Sequence, residues 1–184
     1  MTLTETPICN FGEKAKNFNL LSTENRKVSL NNVKGENGTL IMFICNHCPY
    51  VKAIIKDVVQ DVKYLETLGI KSTAIMSNDV KNYPEDSFEN MISFSKFHAF
   101  SFPYVIDDTQ EVAKEYGAVC TPDFFGYNKK LELQYRGRIR ELKNLKPVRK
   151  GDSDLRIAME QISASGKGPK KQIPSMGCNI KWFK

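Results

Sequence analysis

The sequence predicts an α/β sandwich with a central sheet and helices on both faces. The nearly continuous apolar run from Thr39 to Ile44 is typical of a strand buried on both faces. An amphipathic helix follows, with apolar residues at three- and four-residue steps from Val51 to Leu65. A second apolar strand, Ile70 to Met76, completes a strand–helix–strand unit, which implies a right-handed parallel crossover.

Short apolar segments and turn residues predict the other elements. Apolar pieces around the polar turn 22–27 favour a hairpin. Pro49 suits the first turn of the long helix, Gly69 its end, and Gly117 the end of a later helix. The other predicted elements are helices at 87–98, 109–116 and 154–162, a strand at 104–106, and a hairpin of 124–127 with 131–135.

Charge separates a body, residues 1–166, from a basic tail, residues 167–184. The tail holds five lysines and no acid, which accounts for nearly all of the net charge of +6. Its apolar end, with Ile180 and Trp182, is expected to pack on the domain. Such a tail is usually solvated, so neither a nucleic-acid nor a membrane partner is predicted. With no apolar run of membrane-spanning length and no visible secretory signal, a cytoplasmic location is expected.

Two of the five cysteines, Cys45 and Cys48, form a Cys-x-x-Cys pair between the buried strand and the long helix. The other three are widely spaced, which does not suit a structural disulfide framework. Unpaired N–H groups and the helix dipole at such a junction favour a thiolate, the nucleophilic form of cysteine. Cys45, nearer the exposed end, is predicted to attack a disulfide, and Cys48 to resolve the mixed disulfide.

Zinc binding is the main alternative for a lone Cys-x-x-Cys pair. A structural zinc site needs further ligands at comparable spacing, and the remaining candidates are isolated along the chain. No metal or other cofactor is therefore expected, although Cys45, Cys48 and Cys120 form a weaker soft-metal alternative. His47 lies between the paired cysteines, where an imidazolium would favour the thiolate unless the ring simply faces solvent.

The dipeptide Thr121-Pro122 precedes the predicted hairpin, and a proline opening a strand suggests a geometric role. A cis bond here would expose the Thr121 backbone for pairing with an extended substrate peptide. Both residues are therefore candidate substrate-binding residues. The isomer stays open from the sequence, and trans is the commoner outcome.

Three segments together, Cys45–Val51, Val119–Phe125 and Gly177–Trp182, resemble the thioredoxin-like superfamily over essentially the whole chain. The chain is most similar to its redoxin branch, the alkyl hydroperoxide reductase and thiol-specific antioxidant proteins. The resemblance implies a three-layer thioredoxin-like sandwich with a mixed sheet, dithiol–disulfide chemistry at the Cys-x-x-Cys pair, and Pro122 as a cis-proline. The carboxylate that thioredoxins bury beneath the pair has no counterpart in Leu40–Ile44.

The resemblance also implies an alternative, a thiol-dependent peroxidase with Cys48 or Cys45 as the peroxide-attacking residue. Peroxiredoxins place Thr or Ser three residues before that cysteine, whereas this chain has Cys45 before Cys48. Arg136 or Arg138 would supply the supporting guanidinium, although a surface salt bridge is the simpler role for each. A redox-insensitive binding scaffold is the non-enzymatic alternative.

The fold is expected to bring Cys120 near the pair, as a tuning or third redox thiol or as a small buried hydrophobe. Cys178 is expected to pair with Cys120 or Cys9 or to stay reduced. The predicted partners are protein or small-molecule disulfides and thiols. The sequence does not specify the electron donor.

Overall fold

The computed structural model describes residues 3–184 of the chain. Its strands in chain order are β1 (Leu3–Glu5), β2 (Asn19–Ser22), β3 (Lys27–Ser29), β4 (Gly38–Phe43), β5 (Ile70–Met76), β6 (Tyr104–Ile106), β7 (Cys120–Thr121), β8 (Asp123–Asn128), β9 (Leu133–Arg136), β10 (Leu142–Lys143), β11 (Lys146–Pro147) and β12 (Met176–Asn179). Its helices are α1 (Leu30–Val33), α2 (Pro49–Thr67), α3 (Phe88–Phe97), α4 (Glu111–Tyr116) and α5 (Asp154–Ser165), with a 3₁₀ turn at Pro84–Asp86.

The main sheet has seven strands in the order β3-β2-β6-β5-β4-β8-β9. At its centre, β4 pairs parallel with β5 and antiparallel with β8. Every residue of β4 is buried, because both faces of the sheet are covered. Leu40 and Met42 face a core shared with α2, α3 and α5, whereas Ile41 and Phe43 face a core shared with α1 and α4. The predicted thioredoxin-like sandwich is confirmed.

The long helix begins and ends where its sequence predicts. Cys48 is the N-cap residue and Pro49 the first helical residue, where a missing N–H costs no hydrogen bond. Gly69 follows the helix with a φ of +76°, a left-handed conformation that glycine adopts readily. Within α2 the buried residues lie on one side: Val51, Ile54, Ile55, Val58, Asp61, Val62 and Leu65.

Several boundaries differ from the sequence prediction, among them the start of α4 and the end of α5, and two of the differences have a local cause. Leu30 begins the short helix α1 instead of extending a strand, because Ser29 and Asn32 form a reciprocal capping box. The second hairpin strand begins at Leu133, because Leu131 has a φ of +57° within the turn.

The C-terminal tail lies against the body of the protein. Its strand β12 is the middle strand of a second sheet, ordered β1-β12-β7, in which both pairings are antiparallel. Main-chain groups of Lys181 and the side chain of Asn78 hold the segment that follows β12. Within residues 3–184, no helix is long and apolar enough to cross a bilayer.

Candidate active site

Cys45 and Cys48 lie in the loop that joins the centre of the sheet to the start of α2. β4 ends at Phe43, and Cys48 already caps the helix, so the two cysteines are confined to one short turn. Both are reduced thiols, with only 1% and 0% of their surfaces exposed. The prediction that Cys45 lies nearer an exposed end is therefore wrong, because a loop carrying Asp86 and the tail strand β12 cover the turn.

Thr121 contacts both sulfurs of the pair. Its hydroxyl Oγ1 lies 3.3 Å from Cys45 Sγ, and its carbonyl oxygen accepts a hydrogen bond from the Cys48 thiol at 3.2 Å. The Thr121–Pro122 peptide bond is cis. The structure thus brings together Cys45, Cys48, Thr121 and Pro122, which the sequence places more than 70 positions apart.

The environment of the pair separates the pKa values of the two thiols. A hydrogen bond from Cys45 lowers the pKa of Cys48 to about 5, against the effect of burial. A hydrogen bond from Cys178 and the N–H of Val51 in the first turn of α2 add to this effect. The pKa of Cys45 is raised, first by its hydrogen bond to Cys48, then by burial and by the charge of Asp86. The electrostatics thus favour the thiolate at Cys48, whereas the sequence analysis expected it at Cys45.

His47 is held by a buried carboxylate, Asp86, through a contact of 2.6 Å between Nδ1 and Oδ2. That hydrogen bond raises the pKa of His47, whereas burial opposes the increase. The pKa of Asp86 is lowered despite its burial, because His47, Asn78 and the backbone N–H of Asn46 donate hydrogen bonds to it. His47 is therefore paired with an anion and does not face solvent as an isolated cation.

Asp86 is the site residue that the sequence analysis missed. It supplies a buried carboxylate beside Cys45 from a loop about 40 positions further along the chain, instead of from the strand before the pair. Its only sequence signal is its place at the end of a short Pro-Glu-Asp segment before a helix, and that signal does not distinguish it from an exposed acid.

Ligand atoms of Cys45, His47 and Asp86 lie within 4.8 Å of one another, the spacing of a metal site. The carboxylate of Asp86, however, already accepts four hydrogen bonds, two from backbone N–H groups of Asn46 and His47, one from the His47 ring and one from the Asn78 amide. A metal ion would have to displace several of them. Among the described residues, the trio Cys45, Cys48 and Cys120 does not reach this spacing.

The tail strand β12 occupies the backbone edge that the sequence analysis assigned to a substrate peptide. Cys178 is paired with Thr121 across the two strands, and Ser175 donates a 2.7 Å hydrogen bond to the Pro122 carbonyl. Gly177 fits there because a Cβ atom at this position would lie 2.0 Å from the Thr121 carbonyl oxygen. A partner chain can pair with Thr121 only after this segment has left.

Cys178 contacts Cys48, with 3.1 Å between the sulfurs, a partner that the sequence analysis did not consider. Cys120 is fully buried, and its thiol points at the carbonyl of Pro122 at 3.7 Å. Burial raises its pKa. Burial also raises the pKa of the half-buried Cys9 to about 11.

The two candidate arginines are engaged elsewhere. Arg136 forms an ion pair of 2.9 Å with Asp123, stacks on the Phe125 ring, and is itself buried, so the surface role suggested for it is wrong. Arg138 pairs with Asp154 at 2.8 Å near the surface. Asp123 directly follows Pro122, so its ion pair with Arg136 supports the cis-proline loop from beneath.

Comparison with known proteins agrees with this geometry. The family model described as AhpC/TSA family matches residues 11–142. An uncharacterized conserved protein from Geobacillus kaustophilus is 38% identical, with a TM-score of 0.94, over 100% of this chain and 97% of the other. A hypothetical protein from Sinorhizobium meliloti 1021 is 33% identical, with a TM-score of 0.90, over 98% of both chains.

More distant similarity defines the fold. The thioredoxin domain of a thiol-disulfide oxidoreductase from Bacteroides vulgatus is 16% identical, with a TM-score of 0.58, over 73% of this chain and 89% of the other. A search of curated protein sequences found no significant match. A Cys-x-x-Cys pair at the start of a helix, a neighbouring cis-proline and a family match over most of the chain lead to one conclusion: the chain belongs to the AhpC/TSA family, a redoxin family of thioredoxin-like oxidoreductases with redox thiol function.

Proposed function

We propose that the protein is a thiol–disulfide oxidoreductase in which Cys45 and Cys48 cycle between a dithiol and a disulfide. The observation that carries the proposal is the placement of two free thiols in one turn at the N-terminus of α2, both in contact with Thr121 before the cis-proline. In this setting the pKa of Cys48 is lowered to about 5, chiefly by a hydrogen bond from Cys45. A thiol that is ionised at neutral pH and has a second thiol beside it is suited to both steps of disulfide exchange.

The electrostatics support an exchange of the roles predicted from the sequence. We assign the first attack to Cys48, whose thiolate displaces one sulfur of a disulfide RSSR and releases RS⁻. The Cys45 thiol then attacks the Cys48 sulfur of the mixed disulfide, which releases the second sulfur as RSH. Overall RSSR is reduced, the protein pair is oxidised, and the proton of Cys45 leaves with the second thiol.

Access to the pair restricts its substrates. Both sulfurs are covered in this conformation, so a reactant reaches them only after a local movement. A surface cleft beside the site is lined partly by Tyr50, Pro122 and Met176, and a second cleft by His47 and Phe94. A small disulfide requires a smaller opening than a protein disulfide, whose chain can pair with Thr121 only after displacement of β12.

The lowered pKa of Cys48 also favours a second candidate, peroxide reduction. The Cys48 thiolate would attack a hydroperoxide ROOH, which gives a sulfenic acid and, after protonation, ROH. The Cys45 thiol would then condense with the sulfenic acid to give the same disulfide and water. Neither Arg136 nor Arg138 is placed to support the peroxide-attacking thiolate, because Arg136 is paired with Asp123 and Arg138 with Asp154.

Oxidation in a glutathione redox series tests the proposal, because both cysteines lie in one tryptic peptide, Gly35–Lys52. We expect this peptide to lose two hydrogens as the oxidised fraction rises. Cys48→Ser is expected to abolish both this change and insulin-disulfide reduction. Cys45→Ser/Cys178→Ser, which lacks both thiols that contact Cys48, is expected to accumulate a glutathione adduct at Cys48. Cys9→Ser removes a thiol outside the site and serves as the matched control.

Three results would contradict the proposal or redirect it. Absence of the intrapeptide disulfide at every glutathione ratio would overturn it. An adduct that accumulates at Cys45 in Cys48→Ser, with turnover lost in Cys45→Ser, would return the attacking role to Cys45. Rapid consumption of hydrogen peroxide by the reduced protein, without insulin reduction, would favour the peroxidase.

A further inference from the structure

The C-terminal strand places a third thiol against the redox pair. The Cys178 and Cys48 sulfurs are 3.1 Å apart, although the residues are 130 positions apart in the chain. A disulfide bond measures about 2.05 Å, so its formation requires the sulfurs to approach by only about 1 Å. The antiparallel pairing of Cys178 with Thr121 fixes this position.

We propose that Cys178 is a third redox thiol of the site, and that a Cys48–Cys178 disulfide joins the C-terminal strand covalently to the start of α2. This inference rests on the proposed dithiol chemistry, and it adds a residue and a second oxidised form to it. The backbone hydrogen bonds of β12 and the close packing of Gly177 hold the thiol in place before any reaction.

The bond forms by the same exchange chemistry as the Cys45–Cys48 disulfide. The Cys48 thiolate attacks a low-molecular-weight disulfide RSSR and releases RS⁻. The Cys178 thiol then attacks the Cys48 sulfur, the bond to the second RS group breaks, and RSH leaves with the proton. Two protein sulfurs are oxidised and one RSSR is reduced. A Cys45 thiol can later attack Cys48 in turn, which frees Cys178 and transfers the disulfide to the Cys45–Cys48 pair.

The local charges favour attack by Cys48 before attack by Cys178. Burial raises the pKa of Cys178 to about 12, and its hydrogen bond to Cys48 and the negative charge there contribute. Cys178 therefore stays protonated while Cys48 is ionised. Once Cys48 has entered a mixed disulfide, its charge is gone, and two of the three causes that keep Cys178 protonated are removed. Attack by Cys178 is thus favoured after the first step.

Peptide mapping of the full-length Cys45→Ser variant tests the inference. After oxidation with glutathione disulfide and alkylation of the remaining thiols, Cys48 lies in Gly35–Lys52 and Cys178 in Gln172–Lys181. We expect these two peptides to be linked. The glutathione adduct of Cys48 should fall by about tenfold relative to Cys45→Ser/Cys178→Ser, because a neighbouring thiol acts at high effective concentration. Cys45→Ser/Cys9→Ser is the matched control and should form the link normally.

The wild-type protein keeps this test separate from that of the proposed function. A disulfide within Gly35–Lys52 of wild type, together with an unlinked, stably glutathionylated Cys45→Ser, would overturn the role of Cys178 and leave the Cys45–Cys48 couple intact. If neither disulfide forms, the proposed function itself fails. If Cys45→Ser does not fold, the linked peptides are sought in wild type during early oxidation, and their absence there at every time point counts against the inference.

Discussion

Two fully buried thiols, Cys48 at the start of α2 and Cys120 in β7, differ in how readily each ionises. Each has 0% of its surface exposed, yet the pKa of Cys48 falls to about 5 and that of Cys120 rises. Burial opposes the thiolate at both positions, so the difference lies in the neighbouring groups.

Each sulfur lies near a carbonyl oxygen, that of Thr121 for Cys48 and that of Pro122 for Cys120, but only Cys48 also has several hydrogen-bond donors beside it. Around Cys48, the thiols of Cys45 and Cys178 and the N–H of Val51 favour a negative charge. The Cys120 thiol points at a carbonyl, and the charge of Asp123 opposes its ionisation. The lowered pKa of Cys48 therefore comes from the thiols and the N–H group that meet at the junction of β4 and α2.

The largest expected effect is at Cys48 itself. Cys48→Ala should remove the one thiolate present at pH 7, which the ultraviolet absorbance of thiolates measures in a pH titration. In wild type this absorbance should appear with a midpoint near pH 5, the pKa of Cys48. A wild-type absorbance that appears only in the ordinary cysteine range, about pH 8.5, would break the comparison.

Arg136→Met tests the surroundings of Cys120, because the charges of Asp123 and Arg136 both act on that thiol. It leaves the fully buried Asp123 without its ion-pair partner, which should destabilise the protein by about 3–5 kcal/mol in urea unfolding. Burial already raises the pKa of Asp123 to about 6, and Arg136 lowers it. Loss of Arg136 raises the pKa of Asp123 further, so the destabilisation of the variant relative to wild type should increase as the pH rises through and above 6.

Arg138→Met is the matched control for that variant. Its ion pair with Asp154 is partly exposed, and we expect a loss within about 1 kcal/mol. Equal losses for the two arginine variants would show that the pairing of Arg136 with Asp123 is not what stabilises the loop.

Asp86→Asn tests the anion beside Cys45 and should lower the free energy of unfolding by about 1–3 kcal/mol, because several hydrogen bonds to a buried charge are weakened. The pKa of His47 should fall, since Asp86 raises it, and that of Cys45 should fall for the same reason. Proton NMR of the imidazole measures the first change, and thiolate absorbance the second.

The pH dependence of this variant follows from both partners. Because the pKa of His47 is raised in the folded protein, the His47–Asp86 pair stabilises the fold fully at pH values below about 6.5, the pKa of an unfolded histidine. This contribution is lost as the pH rises through the folded pKa of His47. Because the pKa of Asp86 is lowered in the folded protein, its ionised carboxylate stabilises the fold at pH values above about 3.9, the pKa of an unfolded aspartate. This contribution is lost as the pH falls through the folded pKa of Asp86. The difference from wild type should thus be greatest between these limits. Glu85→Gln, at an exposed neighbour, should show none of it.

The smallest expected effect is that of Cys120→Ala, about 1 kcal/mol of stability measured by urea unfolding, because the thiol acts as a small buried hydrophobe. An additional loss of the Cys48 thiolate absorbance would give Cys120 the tuning role predicted from the sequence.

Local patterns were sufficient to predict the sheet centre and the long helix. Thr39–Ile44 and Val51–Leu65 carry their own periodicity, and Cys45 and Cys48 lie between them, so the chemical pair follows from neighbouring residues. The approach of Thr121 was expected only through the family resemblance, which supplied the topology of the fold.

The rest of the site depends on contacts that leave no local signal. Asp86 reaches the pair through loop packing, and Cys178 reaches it through a strand formed by the last residues of the chain. The same contacts cover the sulfurs, which explains why their burial was not predicted. Asn46, between the cysteines, donates its backbone N–H to Asp86 and accepts a hydrogen bond from the Tyr104 hydroxyl.

The tight fit of Gly177 against Thr121 has a kinetic consequence. A sulfur that is fully covered reacts only after its cover moves, so the rate of oxidation should level off at high oxidant concentration, at the rate of opening. Gly177→Ala, which forces the strands apart, should raise that ceiling. Trp182, the sole tryptophan of the chain, lies just beyond the strand, and we expect its fluorescence to change as the strand opens.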